Sequence, residues 1–61
     1  MKIKFEFYNP FTEELCEEIT ITCSSWDEVM KFGERHADTL IILFDLEEVA
    51  WCYTVLQDKI S

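Results

Sequence analysis

The chain has 61 residues, a formal net charge of −8 and 49% hydrophobic residues. This length suits one small domain, residues 1–61, which buries only about 60% of the surface that its unfolded chain exposes. The acidic balance argues against direct binding to nucleic acid, which needs a basic patch. No apolar run is long enough to suggest a membrane span, and no signal peptide is evident.

Residues 2–8 alternate between polar and apolar side chains, and residues 17–23 do so again. Alternation of this kind predicts two half-buried strands, which we expect to pair as an antiparallel hairpin after the stop at Asn9-Pro10. The predicted inward-facing residues are Ile3, Phe5, Phe7, Ile19, Ile21 and Cys23. Phe11 lies in the connection, where it either folds back over the core or is an exposed contact; the first is favoured.

Ser25-Trp26-Asp27-Glu28 has the pattern of a capping box and predicts the start of a helix. We expect this helix to end around residues 36–38, with Arg35 and His36 near its negative end. Gly33 falls on the apolar face of the helix, where it favours close approach to a sheet.

The stretch from Thr39 to Leu56 predicts two further strands, at residues 40–44 and 49–55, joined by a turn at residues 45–48. The predicted fold is therefore a two-layer α+β domain of order ββαββ, with one helix on a four-stranded, mainly antiparallel sheet. In an alternative, residues 46–60 are helical and the order is ββαβα, because Asp45 and Glu48 have the spacing of a helix start.

Catalytic and metal-binding patterns are weak. His36 and the cysteines at positions 16, 23 and 52 lack the close ligand pairs of short zinc sites, so no metal or other cofactor is expected. The glutamates form exposed pairs, whereas acid–base catalysis needs carboxyl groups in different environments. We therefore expect a protein that is not an enzyme and has free thiols, which is typical of the cytoplasm.

Two groups of residues are candidates for contact with another protein. The acidic candidates are Glu13, Glu14, Glu17, Glu18, Glu47 and Glu48, and the apolar or aromatic candidates are Phe11, Trp51, Tyr53, Ile41 and Leu43. Nine aromatic side chains are more apolar bulk than one helix and one sheet easily cover, so one apolar sheet face is expected to stay open for a dimer or other homo-oligomer. Trp51 and Tyr53 have a competing explanation, packing against the helix, which is favoured.

These features predict a small acidic protein-binding module with a basic protein partner, without a nucleic-acid or membrane ligand. By analogy of size and charge alone, such domains serve phages and mobile elements as inhibitors of host nucleic-acid-handling or defence proteins. One alternative is a structural homo-oligomeric subunit whose acidic residues only maintain solubility. Another is a small-molecule or nucleotide binder with its site between protomers, which is disfavoured because the chain has a single glycine.

Overall fold

The computed structural model describes residues 1–57 of the chain. Its elements are β1 (Lys2–Tyr8), β2 (Leu15–Thr22), α1 (Trp26–Phe44) and β3 (Ala50–Gln57). Within these residues the strands form one three-stranded sheet in the order β2-β1-β3, with both pairs antiparallel. The fold is α+β with order ββαβ, and α1 covers one face of the sheet.

The core lies between the central strand and the helix. Ile3, Phe5 and Phe7 of β1 are fully buried, as their alternation with charged residues predicts. The helix faces them with residues three or four positions apart, which share one side of an α-helix; these are Val29, Gly33, Ala37 and Leu40. The predicted hairpin of β1 and β2 is confirmed, and it has a register shift between Phe7 and Tyr8.

The predicted strand at residues 40–44 is wrong, because α1 continues through these residues to Phe44. The expected helix end at residues 36–38 is wrong for the same reason. The cause is visible in the sequence: no glycine or proline follows Gly33 to stop a helix that has already begun. A short apolar run fits a buried helix as well as a strand, so its composition does not decide between them.

The helix stops at Asp45, which adopts a left-handed conformation with φ 52° and ψ 50°. Aspartate tolerates this conformation better than most residues, and its amide donates to the carbonyl of Ile41. The amide of Leu46 donates to the same carbonyl over 3.0 Å, and its side chain packs against the core. The chain then enters β3, so the last predicted strand is confirmed. The alternative helix at residues 46–60 is wrong for the described part, and residues 58–60 lie outside the described residues.

The start of α1 matches the predicted cap with one difference. The hydroxyl of Ser25 accepts a hydrogen bond from the amide of Glu28 over 3.2 Å. The Glu28 carboxylate, however, accepts from the amide of Ser24 over 2.9 Å and from the Ser24 hydroxyl, not from the amide of Ser25. These hydrogen bonds lower the pKa of Glu28.

The face of the sheet opposite the helix is polar, which corrects the expectation of an open apolar sheet face. Ile41 and Leu43 were expected there but lie on α1. The residues that occupy this face have the alternate positions to the buried ones, and they include Lys2, Lys4, Glu6, Thr20, Thr22, Cys52 and Thr54. In residues 1–57, no helix combines the length and hydropathy that crossing a bilayer requires.

Candidate functional site

The register of the sheet brings two distant loops to the same end of the molecule. Tyr8, the last residue of β1, pairs with Leu15 at the start of β2 and with Ala50 at the start of β3. Residues 9–14, which precede Leu15, and residues 45–49, which precede Ala50, therefore leave the sheet at this common end.

The helix also reaches this end and extends past it. The rings of Phe7 and His36 are 4.9 Å apart, so His36 is level with the end of β1. From His36 to Phe44 the helix advances about 12 Å, at about 1.5 Å per residue. Its last turn therefore extends beyond the sheet. Phe44, in this turn, is 57% exposed, and Ile42, which faces away from the buried side of the helix, is 80% exposed.

We call this region the acidic end. Its members are the exposed acidic and apolar residues of the two loops, of the first position of β2 and of the last turn of α1. The acidic members are Glu13, Glu14, Asp45, Glu47 and Glu48, and the apolar members are Phe11, Leu15, Ile42, Leu43 and Phe44. Residues 9–15 and 41–50 contain no lysine or arginine. The ion pairs in residues 1–57 are Asp27–Lys31 and Glu17–His36, so none involves a carboxylate of this region.

The loop of residues 9–14 is held by its own hydrogen bonds. The side-chain oxygen of Asn9 accepts from the amides of Phe11 and Thr12 over 2.8 and 3.3 Å. The backbone of Asn9 also exchanges hydrogen bonds with Glu13 and Glu14, over 2.7 and 2.9 Å. A loop tied in this way presents its side chains in a fixed arrangement, because few backbone rotations remain free. Phe11 is 69% exposed, so the expectation that it covers the core is wrong.

Glu13 has a backbone conformation that is unusual for its residue type. Its φ is 64°, and the only other positive φ of a non-glycine residue in the described part of the chain is that of Asp45. A side chain in this region costs about 1–2 kcal/mol relative to glycine or a regular conformation. Asp45 is the residue that ends α1, where a left-handed conformation is common, so Glu13 is the strained residue of the acidic end. Backbone strain of this kind clusters at functional sites.

The six acidic candidates do not form a single group. Glu13, Glu14, Glu47 and Glu48 lie together at the acidic end, to which the structure adds Asp45. Glu18 is exposed on the polar sheet face directly across from Glu6. Glu17 is half-buried on the helix side, where its Oε1 lies 2.7 Å from Nε2 of His36.

The five apolar candidates are also divided. Phe11 and Leu43 are exposed at the acidic end, whereas Ile41 is half-buried against the core. Trp51 packs on the buried face of α1 beside Phe5, with ring centroids 6.0 Å apart. Tyr53 is 40% exposed on β3.

Ile42, Phe44 and Leu15 are members that sequence reasoning missed. The first two were placed in a strand, and Leu15 was assigned to a loop. The helical spacing of the buried Val29, Gly33, Ala37 and Leu40 was the signal that the sequence offered, since it continues past residue 38.

The remaining chemical groups are dispersed. The described residues contain no group of three or more metal-binding side chains. The thiols are free: Cys23 is buried, Cys16 is half-buried and Cys52 is exposed. Burial raises the pKa of the Cys23 thiol, and the nearby carboxylate of Glu28 raises it further. No protein-family model, curated protein or solved structure matches the chain.

Proposed function

We propose that this chain is a non-catalytic protein-binding module that engages a basic protein through the acidic end. The observation that supports the proposal most is the convergence of five carboxylates, which form no ion pair within residues 1–57, with the exposed apolar residues of the helix terminus. Charged groups around an apolar centre are the usual composition of a protein contact, in which apolar residues supply affinity and the charges select the partner.

The electrostatic argument concerns where a basic partner would be attracted. Residues 9–15 and 41–50 contain no lysine or arginine, so their carboxylates produce a negative potential, which raises the rate of encounter with a positive surface. Elsewhere on the chain the potential is partly compensated, by Lys31 beside Asp27 and by Lys2 and Lys4 on the sheet. The acidic end is therefore the preferred point of first contact.

In its biological role, the chain would inhibit the basic protein that it binds. Size and net charge resemble those of the small acidic domains with which phages and mobile elements block host nucleic-acid-handling or defence proteins, and this analogy is the only basis for the role. Such targets have basic surfaces for the nucleic acid phosphates. A protein bound there through carboxylates would compete with the nucleic acid.

The test is affinity capture from cell extract with the immobilised chain, over a series of salt concentrations. We expect a basic protein to be retained at low salt and released as salt rises, because salt screens exposed charges. The variant E47Q/E48Q removes two carboxylates of the acidic end. At about 0.2–1 kcal/mol for each exposed pair, it should weaken binding roughly 2-fold to 30-fold.

The matched control is E18Q/E34Q, which removes the same charge from exposed positions away from the acidic end. It should bind the retained protein like the parent chain. Retention of no protein, retention that is indifferent to salt, or an equal loss in both double variants would contradict the proposal.

A substitution at Glu13 can distinguish an effect on folding stability from an effect on partner binding. Because its φ is 64°, we expect Glu13→Gly to relieve strain and raise the free energy of unfolding by up to about 1 kcal/mol. The same change removes a carboxylate and should weaken partner binding. A variant that is both more stable and a weaker binder would separate the role of Glu13 in binding from its role in folding.

A further inference from the structure

The two edge strands of the sheet differ in how well they are protected from other strands. β2 carries Glu17 and Glu18, and charges of this kind discourage edge-to-edge pairing. β3, with sequence AWCYTVLQ, has no charged residue and no proline over eight residues. Within residues 1–57 no strand pairs with its outer edge, so backbone groups there can bind another strand.

Apolar side chains border this open edge on the helix side. Tyr53 and Val55 of β3 are 40% and 39% exposed, and Trp26 and Met30 of α1 are 51% and 46% exposed. The rings of Trp26 and Tyr53 lie 5.9 Å apart, which joins the helix and strand contributions into one surface. We call these four residues and β3 the β3 edge surface.

We propose that the β3 edge surface binds a second copy of this chain, with β3 pairing antiparallel to the β3 strand of the partner around a two-fold axis. An antiparallel strand pair is self-complementary, as a two-fold interface requires. The pairing joins two three-stranded sheets into one continuous sheet and keeps both helices on the same face. This inference is independent of whether the acidic end binds a basic protein.

Charge restricts where a second copy can bind. Each chain has a net charge of −8, so two copies repel each other across most of their surface. β3 is uncharged, and pairing along it brings no carboxylates of the two strands into contact. A basic partner would gain no electrostatic attraction from the same strand.

The register follows from the requirement that helix-facing residues stay on the helix side. Trp51, Tyr53 and Val55 alternate with residues of the polar face and pair with the buried residues of β1. The register that pairs most of the strand places Tyr53 opposite the partner's Tyr53 and Val55 opposite the partner's Trp51. Aromatic and β-branched cross-strand pairs of this kind are favourable.

The exposed area of the β3 edge surface is consistent with a weak contact between two copies. A large aromatic side chain buries about 150–250 Å² when fully covered, so the exposed halves of Trp26 and Tyr53 contribute on the order of 150–200 Å² per copy. Met30, Val55 and the backbone edge of the strand add to this area. The total stays well below the roughly 800 Å² per partner of a standard interface, so we expect a weak dimer.

The test uses Thr54→Glu with Thr20→Glu as its control. Thr54 of β3 and Thr20 of β2 are both exposed, and both pair with Lys4 of the central strand. They therefore lie on the same face of the sheet, one on each edge strand. The two variants therefore change charge by the same amount beside the same lysine. In sedimentation equilibrium over a concentration series, we expect the parent chain and T20E to dimerise, and T54E to raise the dimer dissociation constant at least ten-fold.

Salt separates this inference from the proposed function. Screening reduces repulsion between two acidic copies, so dimerisation should strengthen with salt, whereas binding of a basic partner should weaken. A parent chain that stays monomeric at millimolar concentration, a dimer weakened by salt, or equal effects of T54E and T20E would overturn the inference.

Amide hydrogen exchange of the unmodified chain provides a second measurement that does not depend on any variant folding. With rising protein concentration, the outward-facing amides of β3 should exchange more slowly, and those of β2 should not change. Concentration-independent exchange along β3 would overturn the inference as well.

Discussion

The contact between Gly33 and Trp51 gives the sharpest test of how helix and sheet fit together. Gly33 is on the buried face of α1, and a Cβ added there would lie 2.5 Å from Cζ2 of Trp51 and closer still to two other ring carbons. The sequence predicts close approach at this glycine, and the structure identifies the indole of Trp51 as the group that approaches. Gly33→Ala must therefore displace either the indole or the helix.

Two opposing effects decide whether Gly33→Ala raises or lowers the free energy of unfolding. Replacing glycine by alanine in a helix interior contributes about 1 kcal/mol of stability. Overpacking a filled site costs about 1–3 kcal/mol, and the Trp51 ring is also held by Phe5, 6.0 Å away between centroids. We expect a net loss of about 1 kcal/mol, which lowers Tm by about 4–8 °C in a domain of this size.

The assay is urea unfolding followed by circular dichroism, arranged as a double-mutant cycle with Trp51→Val. In the Trp51→Val background the space is free, so Gly33→Ala should be stabilising by up to about 1 kcal/mol. Glu34→Ala, at an exposed neighbouring position, should stay within about 0.5 kcal/mol of its own background. If Gly33→Ala stabilises the parent chain, the close contact with the indole is refuted.

Three other predictions concern the helix and the thiols. Leu40→Ala should lower the free energy of unfolding by about 2–5 kcal/mol, because Leu40 is 1% exposed. Ile42→Ala, at 80% exposure, should change it by less than about 0.5 kcal/mol. Similar losses in both variants would indicate that residues 40–44 form a strand. Glu28 has a lowered pKa in the folded state, so its contribution to stability is present above the ordinary glutamate pKa and is lost as pH falls through the folded value. Glu28→Gln should therefore flatten the dependence of urea midpoints on pH in the acidic range, and an unchanged profile would contradict this. In dilute solution, a thiol reagent should modify the exposed Cys52 quickly and the buried Cys23, whose thiol pKa is raised, only at the rate of unfolding; equal rates would contradict the assignment.

The sequence predicts those elements that carry a complete local signal. β1 has strict alternation of apolar and charged residues, and the start of α1 has a capping serine with a glutamate three residues later. The end of α1 has no such signal, because Asp45 rather than glycine adopts the left-handed conformation. That residue was interpreted as part of a hairpin turn, which converted the end of one helix into an additional strand.

The acidic end could not be predicted as a unit, because it depends on register. Glu13 and Glu47 are far apart in the sequence, and only the pairing of Tyr8 with both Leu15 and Ala50 brings their loops together. The separation of Glu17 from the other acidic candidates has a similar origin. Its position opposite Phe7 on the helix side places it beside His36, which the helix brings to the same level. Contacts of this kind follow from tertiary packing and leave no local pattern.

The two proposed surfaces, if both are used, must influence each other. In an antiparallel β3 pair, the Ala50 ends of the two strands point in opposite directions, so the acidic ends lie at opposite extremes of the dimer. A small basic partner can then reach only one of them, and the expected stoichiometry is one partner per chain. Binding at either end neutralises charge and reduces repulsion between the copies, so the partner should tighten the dimer, and the dimer should bind the partner more tightly by the same factor. A partner that dissociates the dimer, or a single partner shared by two chains, would show that one of the two surfaces is wrongly assigned.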